Sequence, residues 1–175
     1  MRRKRYIRSG KVYSLTFRVR EGLPFVCNKT VNLLIESAIA RSQRDNKVSL
    51  CHDLWMTNHA HLIAVFYDMN QATKFYMEIK KKVTDYYKKL LGLKKLRLWE
   101  EDDSVCEILD LYAVMKQIAY LYSNPATANL VSSIDEYRLV SSWVAFNANI
   151  GSSIAATHEK EVPWIRQPSF EVVTP

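Results

Sequence analysis

The chain predicts an α+β fold: a ferredoxin-like, RRM-like split β-α-β sandwich, an antiparallel sheet with helices packed on one face. Three observations predict it. Stretches that alternate apolar and polar residues are interleaved with stretches of helical period, in the order strand, helix, strand, strand, helix, strand. The two middle strands are separated only by Thr57-Asn58, the length of a hairpin connection. A chain of 175 residues, 48% of them hydrophobic, can bury one core.

The elements follow in order. Val12 to Val19 alternates β-branched and aromatic residues with polar ones, so it is the first strand, with Arg18 and Arg20 off its polar face; Gly22 and Pro24 end it. Asn28 can cap a helix reaching about Arg44, with Val31, Leu34, Ile35, Ala38 and Ile39 at helical spacing. Asp45-Asn46 reads as a turn, Val48 to Met56 as the second strand and His59 to Tyr67 as the third. A longer helix starts at Asn70 or Thr73 and ends near Leu91-Gly92, its core stripe being Phe75, Ile79, Val83, Tyr86, Tyr87 and Leu90. Lys94 to Trp99 reads as a short strand, and Val105 to Ile108 as an edge strand. Leu109 to Ser123 is the last clear helix, because Pro125 disfavours helix geometry at Asn124. Three units are expected: a basic arm over 1–12, a domain over 13–146, and an irregular tail over 147–175 pinned by Trp164.

The net charge of +7 is unevenly placed. Residues 1–97 hold 21 Lys and Arg against 7 Asp and Glu, net +14; residues 98–175 hold 4 against 11, net −7. A basic half of this kind suits a polyanion, nucleic acid above all. The candidates are Arg2, Arg3, Lys4, Arg5, Arg8 and Lys11 on the arm, Arg18 and Arg20 on the first strand, and Lys81 and Lys82 on the second helix. The bland alternative is a solvated basic surface, or a basic half docked on the acidic one. The longest apolar run, Leu62 to Tyr67, is too short to span a bilayer, and no apolar signal core follows the basic start. Cys27, Cys51 and Cys106 are odd in number and lack ligand spacing, which suits reduced thiols in a cytoplasmic protein.

Two of the four histidines, His59 and His61, head the third strand. Residues i and i+2 of a strand share a face, so the two imidazoles converge on one point. A divalent cation between them is one use of that arrangement; a polar pair at an exposed strand start is the other. On the last helix, at about 100° per residue, Leu111, Met115, Ile118 and Tyr122 share a narrow arc, read as the core stripe. Tyr120 lies opposite, with Ala113, Lys116, Gln117 and Asn124 as neighbours: a surface aromatic or a working phenol.

At these residues the chain resembles a family. Asn58-His59-Ala60-His61-Leu62-Ile63 resembles the Asn-His-x-His-Leu-Leu block of the HUH single-strand DNA transposases. Tyr120-Leu121-Tyr122-Ser123-Asn124-Pro125 is similar to that family's Tyr-Ile-x-x-Asn-Pro block, at a matching interval. Leu98-Trp99-Glu100 and Ser141-Ser142-Trp143 resemble the Leu-Trp-Glu and Trp-Ser-Ser-Tyr segments of one branch, the REP-associated tyrosine transposases. The resemblance runs from about Tyr13 to Phe146. It implies a catalytic helix on the sheet face opposite the other helices. It implies that Tyr120 attacks a phosphodiester of single-stranded or hairpin DNA and becomes a 5′-phosphotyrosine. It further implies that His59, His61 and Asn124 hold Mg²⁺ or Mn²⁺, and it is compatible with a homodimer or a monomer.

The physical chemistry of such a site adds one residue. A free tyrosine has a pKa of about 10 and is a weak nucleophile near neutrality. Lys116, one turn before Tyr120, is placed to favour the phenolate. Two other readings stand beside strand transfer: a relative that binds nucleic acid without cutting it, and a structural metal hairpin.

Overall fold

The computed structural model describes residues 6–151 apart from Gly22 and Asp102. The antiparallel sheet is built from β1 (Lys11–Arg18), β2 (Ser49–Trp55), β3 (His59–Phe66) and β4 (Ser104–Glu107), in the spatial order β2-β3-β1-β4. Helix α1 (Lys29–Asn46) joins β1 to β2, and α2 (Met69–Leu90) joins β3 to β4. Helix α3 (Leu111–Thr127) follows β4, and α4 (Trp143–Gly151) closes the described chain. This is the split β-α-β sandwich that the alternation of periods predicts.

Local chemistry explains where the helices begin. Asn28, Asp68 and Asp110 are N-caps in extended conformation, and their side-chain oxygens accept from the amides of Val31, Gln71 and Ala113. Each cap satisfies an amide that has no partner within the helix.

Strand parity separates two cores. Tyr13, Leu15 and Phe17 of β1 and Ala60, Leu62, Ala64 and Phe66 of β3 bury themselves beneath α1 and α2, against Val31, Ile35, Phe75 and Ile79. The alternate residues face α3, where Leu54, Met56 and Ile63 pack on Leu121 and Tyr122. A bulge at Cys51 inserts one residue between the pairs Leu50–Ala64 and His52–Ile63. Leu50 therefore joins the α1/α2 core, while Leu54 joins the α3 core.

Several expectations need correction. Asp45-Asn46 is not a turn: α1 runs through Asn46, and the chain reverses at Lys47, which adopts the left-handed conformation (φ 52°) and returns its amide to the α1 carbonyl of Gln43. Lys94 to Trp99 is not a strand; only Val19 and Trp99 form an isolated bridge. Its end is held by two backbone bonds, Arg20 N–H to Leu98 C=O at 2.8 Å and Glu100 N–H to Arg18 C=O at 2.9 Å, and by side chains. Leu98 is buried, and the Trp99 indole donates to the Lys80 carbonyl at 2.9 Å. Leu90 is half exposed rather than core, because it lies at the end of α2, beyond the packed turns.

Pro125 does not stop α3. It sits inside the last two turns, and the helix runs to Thr127, with Ala128 N–H donating to Asn124 C=O at 2.9 Å. Proline removes one amide donor, and near a helix end that loss is limited. Burial of Leu121, Tyr122 and Pro125 against the sheet offsets it. The core stripe of α3 also differs from expectation. It is Ile118, Leu121, Tyr122 and Pro125, while Leu111 and Met115 are 74% and 62% exposed. Only the second half of α3, from Ile118, packs in that core.

At the start of the chain, Ile7 is buried in the core and Gly10 N–H donates to Phe66 C=O. Arg8 is ion-paired with Glu107 rather than lying on a loose arm. Arg2, Arg3, Lys4 and Arg5, and the irregular tail pinned by Trp164, lie outside the described residues. The expected boundary at 146 falls inside α4.

Candidate active site

The site forms where β3 meets the second half of α3. Alternation puts His59 and His61 on the α3 face of the sheet, as the i, i+2 spacing predicts. Their rings meet edge to face, centroids 4.7 Å apart. Across the ladder, β1 sets Arg18 opposite His59 and Thr16 opposite His61.

Both imidazoles have polar partners. His61 Nδ1 lies 2.9 Å from Thr16 Oγ1, and His61 Nε2 lies 3.1 Å from Asn124 Nδ2. His59 Nδ1 lies 2.6 Å from Asn58 Oδ1. Burial, then the neighbouring His59 and Arg18, push the His61 pKa down to about 4. Burial, then Arg18, lower that of His59. His61 is therefore a neutral imidazole at neutral pH, the form that can lend a lone pair to a cation.

Helix α3 adds the other half. Tyr120 is 55% exposed, and its ring stands edge-on to His61, centroids 5.9 Å apart. Asn124, one turn later, reaches the same imidazole. Tyr120, His59, His61 and Asn124 thus converge within one chain. Lys116, a turn before Tyr120, holds its ammonium 4.5 Å from the centre of the Tyr112 ring. Gln117 donates to Ser14 Oγ at 3.3 Å and ties α3 to β1.

A buried network that composition and spacing do not reveal seats α3. His52 Nδ1 lies 2.8 Å from the Tyr122 hydroxyl, which lies 3.0 Å from Ser142 Oγ. Ser142 in turn bonds both the N–H and the C=O of Asp53 on β2. Phe146 of α4 stacks on Tyr122, centroids 5.6 Å apart. The neighbouring tyrosines of Tyr120-Leu121-Tyr122 therefore have opposite environments. Burial raises the Tyr122 pKa strongly, and its hydroxyl is a structural tie. The sequence signal for this network is the Ser141-Ser142-Trp143 segment; the β2 bulge that turns His52 toward Tyr122 is visible only in the register.

The basic residues divide. Arg18 and Arg20 line a cleft with Glu21, Asn58 and Glu100 at the edge of the histidine pair. Lys11 is exposed at the start of β1. Lys81 and Lys82 lie on α2, across the sheet from α3, and Lys82 pairs with Glu78 at 3.0 Å. They are not brought to the site. In the acidic cluster after Trp99, Asp103 accepts from Lys80 at 2.7 and 2.9 Å, and Glu101 pairs with Arg97.

The donor set suits a divalent cation. Two neutral imidazoles and one amide oxygen could hold Mg²⁺ or Mn²⁺ and leave coordination positions for substrate oxygens. Among the described residues no group of three or more His, Cys, Asp or Glu is gathered for a metal. The oxygen donor that lies beside the pair is the Asn124 side-chain amide.

Fold and site together define a class: an antiparallel sandwich presenting a His-x-His pair to a tyrosine on an added helix. Comparison with solved structures gives the particular likeness. The chain shares the fold of a REP-associated tyrosine transposase solved bound to a REP hairpin, with a TM-score of 0.71, 19% identity, and coverage of 91% of this chain and 92% of that one. A provisionally assigned transposase from Deinococcus radiodurans R1 aligns with a TM-score of 0.48 and 15% identity, over 74% of this chain and 98% of that one. No family model matches the sequence, and no curated protein does.

Proposed function

We propose that this chain is an HUH-type, REP-associated tyrosine transposase. It nicks and rejoins single-stranded DNA beside short hairpins through a 5′-phosphotyrosine on Tyr120. One observation carries the reading: Asn124 and Tyr120, a turn apart on α3, both meet the same imidazole, that of His61, with His59 at its side.

The chemistry follows from these groups. The Tyr120 oxygen attacks the scissile phosphorus and loses its proton to solvent. The bond from phosphorus to the 3′ oxygen breaks, and that oxygen takes up a proton to leave as a 3′-OH. An aryl oxygen is a good leaving group, so another 3′-OH can displace it and rejoin the strand without ATP. Lys116 favours the phenolate. His59, His61 and the Asn124 side-chain oxygen would hold Mg²⁺ or Mn²⁺, which supplies Lewis-acid polarisation of a phosphoryl oxygen. Arg18 and Arg20 steer the backbone of the strand toward the histidine pair.

The bound hairpin of the transposase that shares this fold supports hairpin DNA as the partner. The four site residues meet within one protomer, an arrangement compatible with a monomer or a homodimer. Among the described residues no helix is long and apolar enough to cross a membrane. We place the activity in the cytoplasm.

The test is incubation with end-labelled hairpin DNA and Mn²⁺ or Mg²⁺, followed by a denaturing gel. A covalent protein–DNA band that disappears in Tyr120→Phe is expected. Salt-sensitive binding with no covalent band would make the chain a non-catalytic nucleic-acid-binding relative.

A further inference from the structure

The geometry points to Thr16 and Asn58 as positioning residues that accept from Nδ1–H of both site histidines, the tautomer that leaves Nε2 to a cation. The inference deepens the reading above and rests on it for its functional meaning.

A threonine hydroxyl can donate or accept, so the Thr16–His61 contact leaves the tautomer of His61 open by itself. The second contact decides it. Asn124 Nδ2 is a donor only, so the Nε2 it meets is an acceptor and carries no proton. The single proton of neutral His61 is then on Nδ1, and that N–H donates to Thr16 Oγ1. For His59 one contact is enough. Asn58 Oδ1 can only accept, so His59 Nδ1 carries the proton and donates across 2.6 Å. Neither positioning residue is an accident of a loose surface. Thr16 is the ladder partner of His61 on the adjacent strand, and the Asn58 carbonyl accepts from Val19 N–H at 2.8 Å.

Asn124 acquires a second role. With its NH₂ on His61 Nε2, it occupies the lone pair that a cation needs. To hold a cation, the amide would turn to offer its oxygen instead. Partners on the far nitrogen of a ligating histidine are commonly worth about 10–100-fold in metal affinity.

The experiment uses the full chain labelled with ¹⁵N at histidine. Two-bond ¹H–¹⁵N spectra at neutral pH, with chelator and without DNA, report the tautomers; calorimetric titration with Mn²⁺ reports affinity. Expected are Nδ1–H tautomers at both His59 and His61 in the parent. Thr16→Val should leave the His61 Nδ1–H without its acceptor, move that ring's ¹⁵N shifts and weaken Mn²⁺ binding about tenfold, and Thr16→Ser should restore both. An Nε2–H tautomer at either histidine of the parent overturns the proposal. So does a Thr16→Val chain with the parent's His61 shifts and Mn²⁺ affinity. A parent with the expected tautomers that binds no Mn²⁺ instead overturns the metal-dependent reading and leaves the positioning geometry standing.

Discussion

Asn124 and His61 are joined by a 3.1 Å contact between a side-chain amide and Nε2, and this contact ties α3 to β3 at the candidate active site. It makes Asn124 the residue most directly open to test. Asn124→Ala should keep the fold and weaken Mn²⁺ binding at least tenfold. Asn124→Asp should bind Mn²⁺ more tightly than the parent, since a carboxylate is the stronger hard ligand. Calorimetric titration of the three proteins checks the order Asp, Asn, Ala.

Tyr122 should behave oppositely to its neighbour Tyr120. Its hydroxyl is buried between His52 Nδ1 and Ser142 Oγ. Tyr122→Phe leaves a buried imidazole nitrogen without a partner, a loss of about 1–3 kcal/mol. Denaturant unfolding should show that loss, while the covalent DNA band persists. Tyr120→Phe should unfold like the parent, its ring being half exposed, and should lose the band.

Asp53 gives the chain a pH dependence of known sign. Its carboxyl group is fully buried, with the Ser142 hydroxyl and the Trp55 indole as the polar groups that hold its pKa back. Burial pushes its pKa up to about 7, with Glu36 nearby adding to the rise. In the unfolded chain the pKa is about 3.9. Between these values the unfolded state is ionised and the folded state protonated, so folding takes up a proton. Stability is therefore lost from this group as pH rises from about 4 to about 7. Asp53→Asn mimics the protonated form. Its stability gain over the parent should be near zero at pH 4 and reach a few kcal/mol at pH 8, as read by urea unfolding across that range.

Lys116 offers a kinetic prediction. If its charge favours the Tyr120 phenolate, Lys116→Ala should move the alkaline limb of the cleavage pH–rate profile upward and slow cleavage at neutral pH. In the structure the ammonium lies against the Tyr112 ring, so Tyr112→Ala is the informative companion. Releasing Lys116 should shift the limb the other way. An unmoved limb in Lys116→Ala removes the residue from the mechanism.

Much of this fold was legible from period alone. Alternation marked β1, the apolar run after His59 marked β3, and the cap Asn28 and the two-residue link Thr57-Asn58 located α1 and the hairpin. The i, i+2 spacing of His59 and His61 put both rings on one face, and the i, i+4 spacing of Tyr120 and Asn124 did the same on α3. What remained hidden depends on contacts between distant segments. Thr16 meets His61 only because β1 and β3 pair in one register. His52 meets Tyr122 only because an extra residue at Cys51 shifts the parity of β2. Leu111 and Met115 lie on an apolar arc of α3, yet helical periodicity cannot say which turns of the helix pack on the sheet. Pro125 misled because a local backbone preference was weighed without the burial that opposes it.

The central claim is that the Tyr120 oxygen becomes bonded to DNA phosphorus. Trypsin cuts after Lys116 and Arg138, which isolates Tyr120, Tyr122 and Tyr137 in one peptide. Tandem mass spectrometry of the nuclease-trimmed adduct, formed with hairpin DNA and Mn²⁺, should locate the phosphate on Tyr120. A phosphate on Tyr122 or any other side chain, or no adduct while the DNA is cut, would contradict the account.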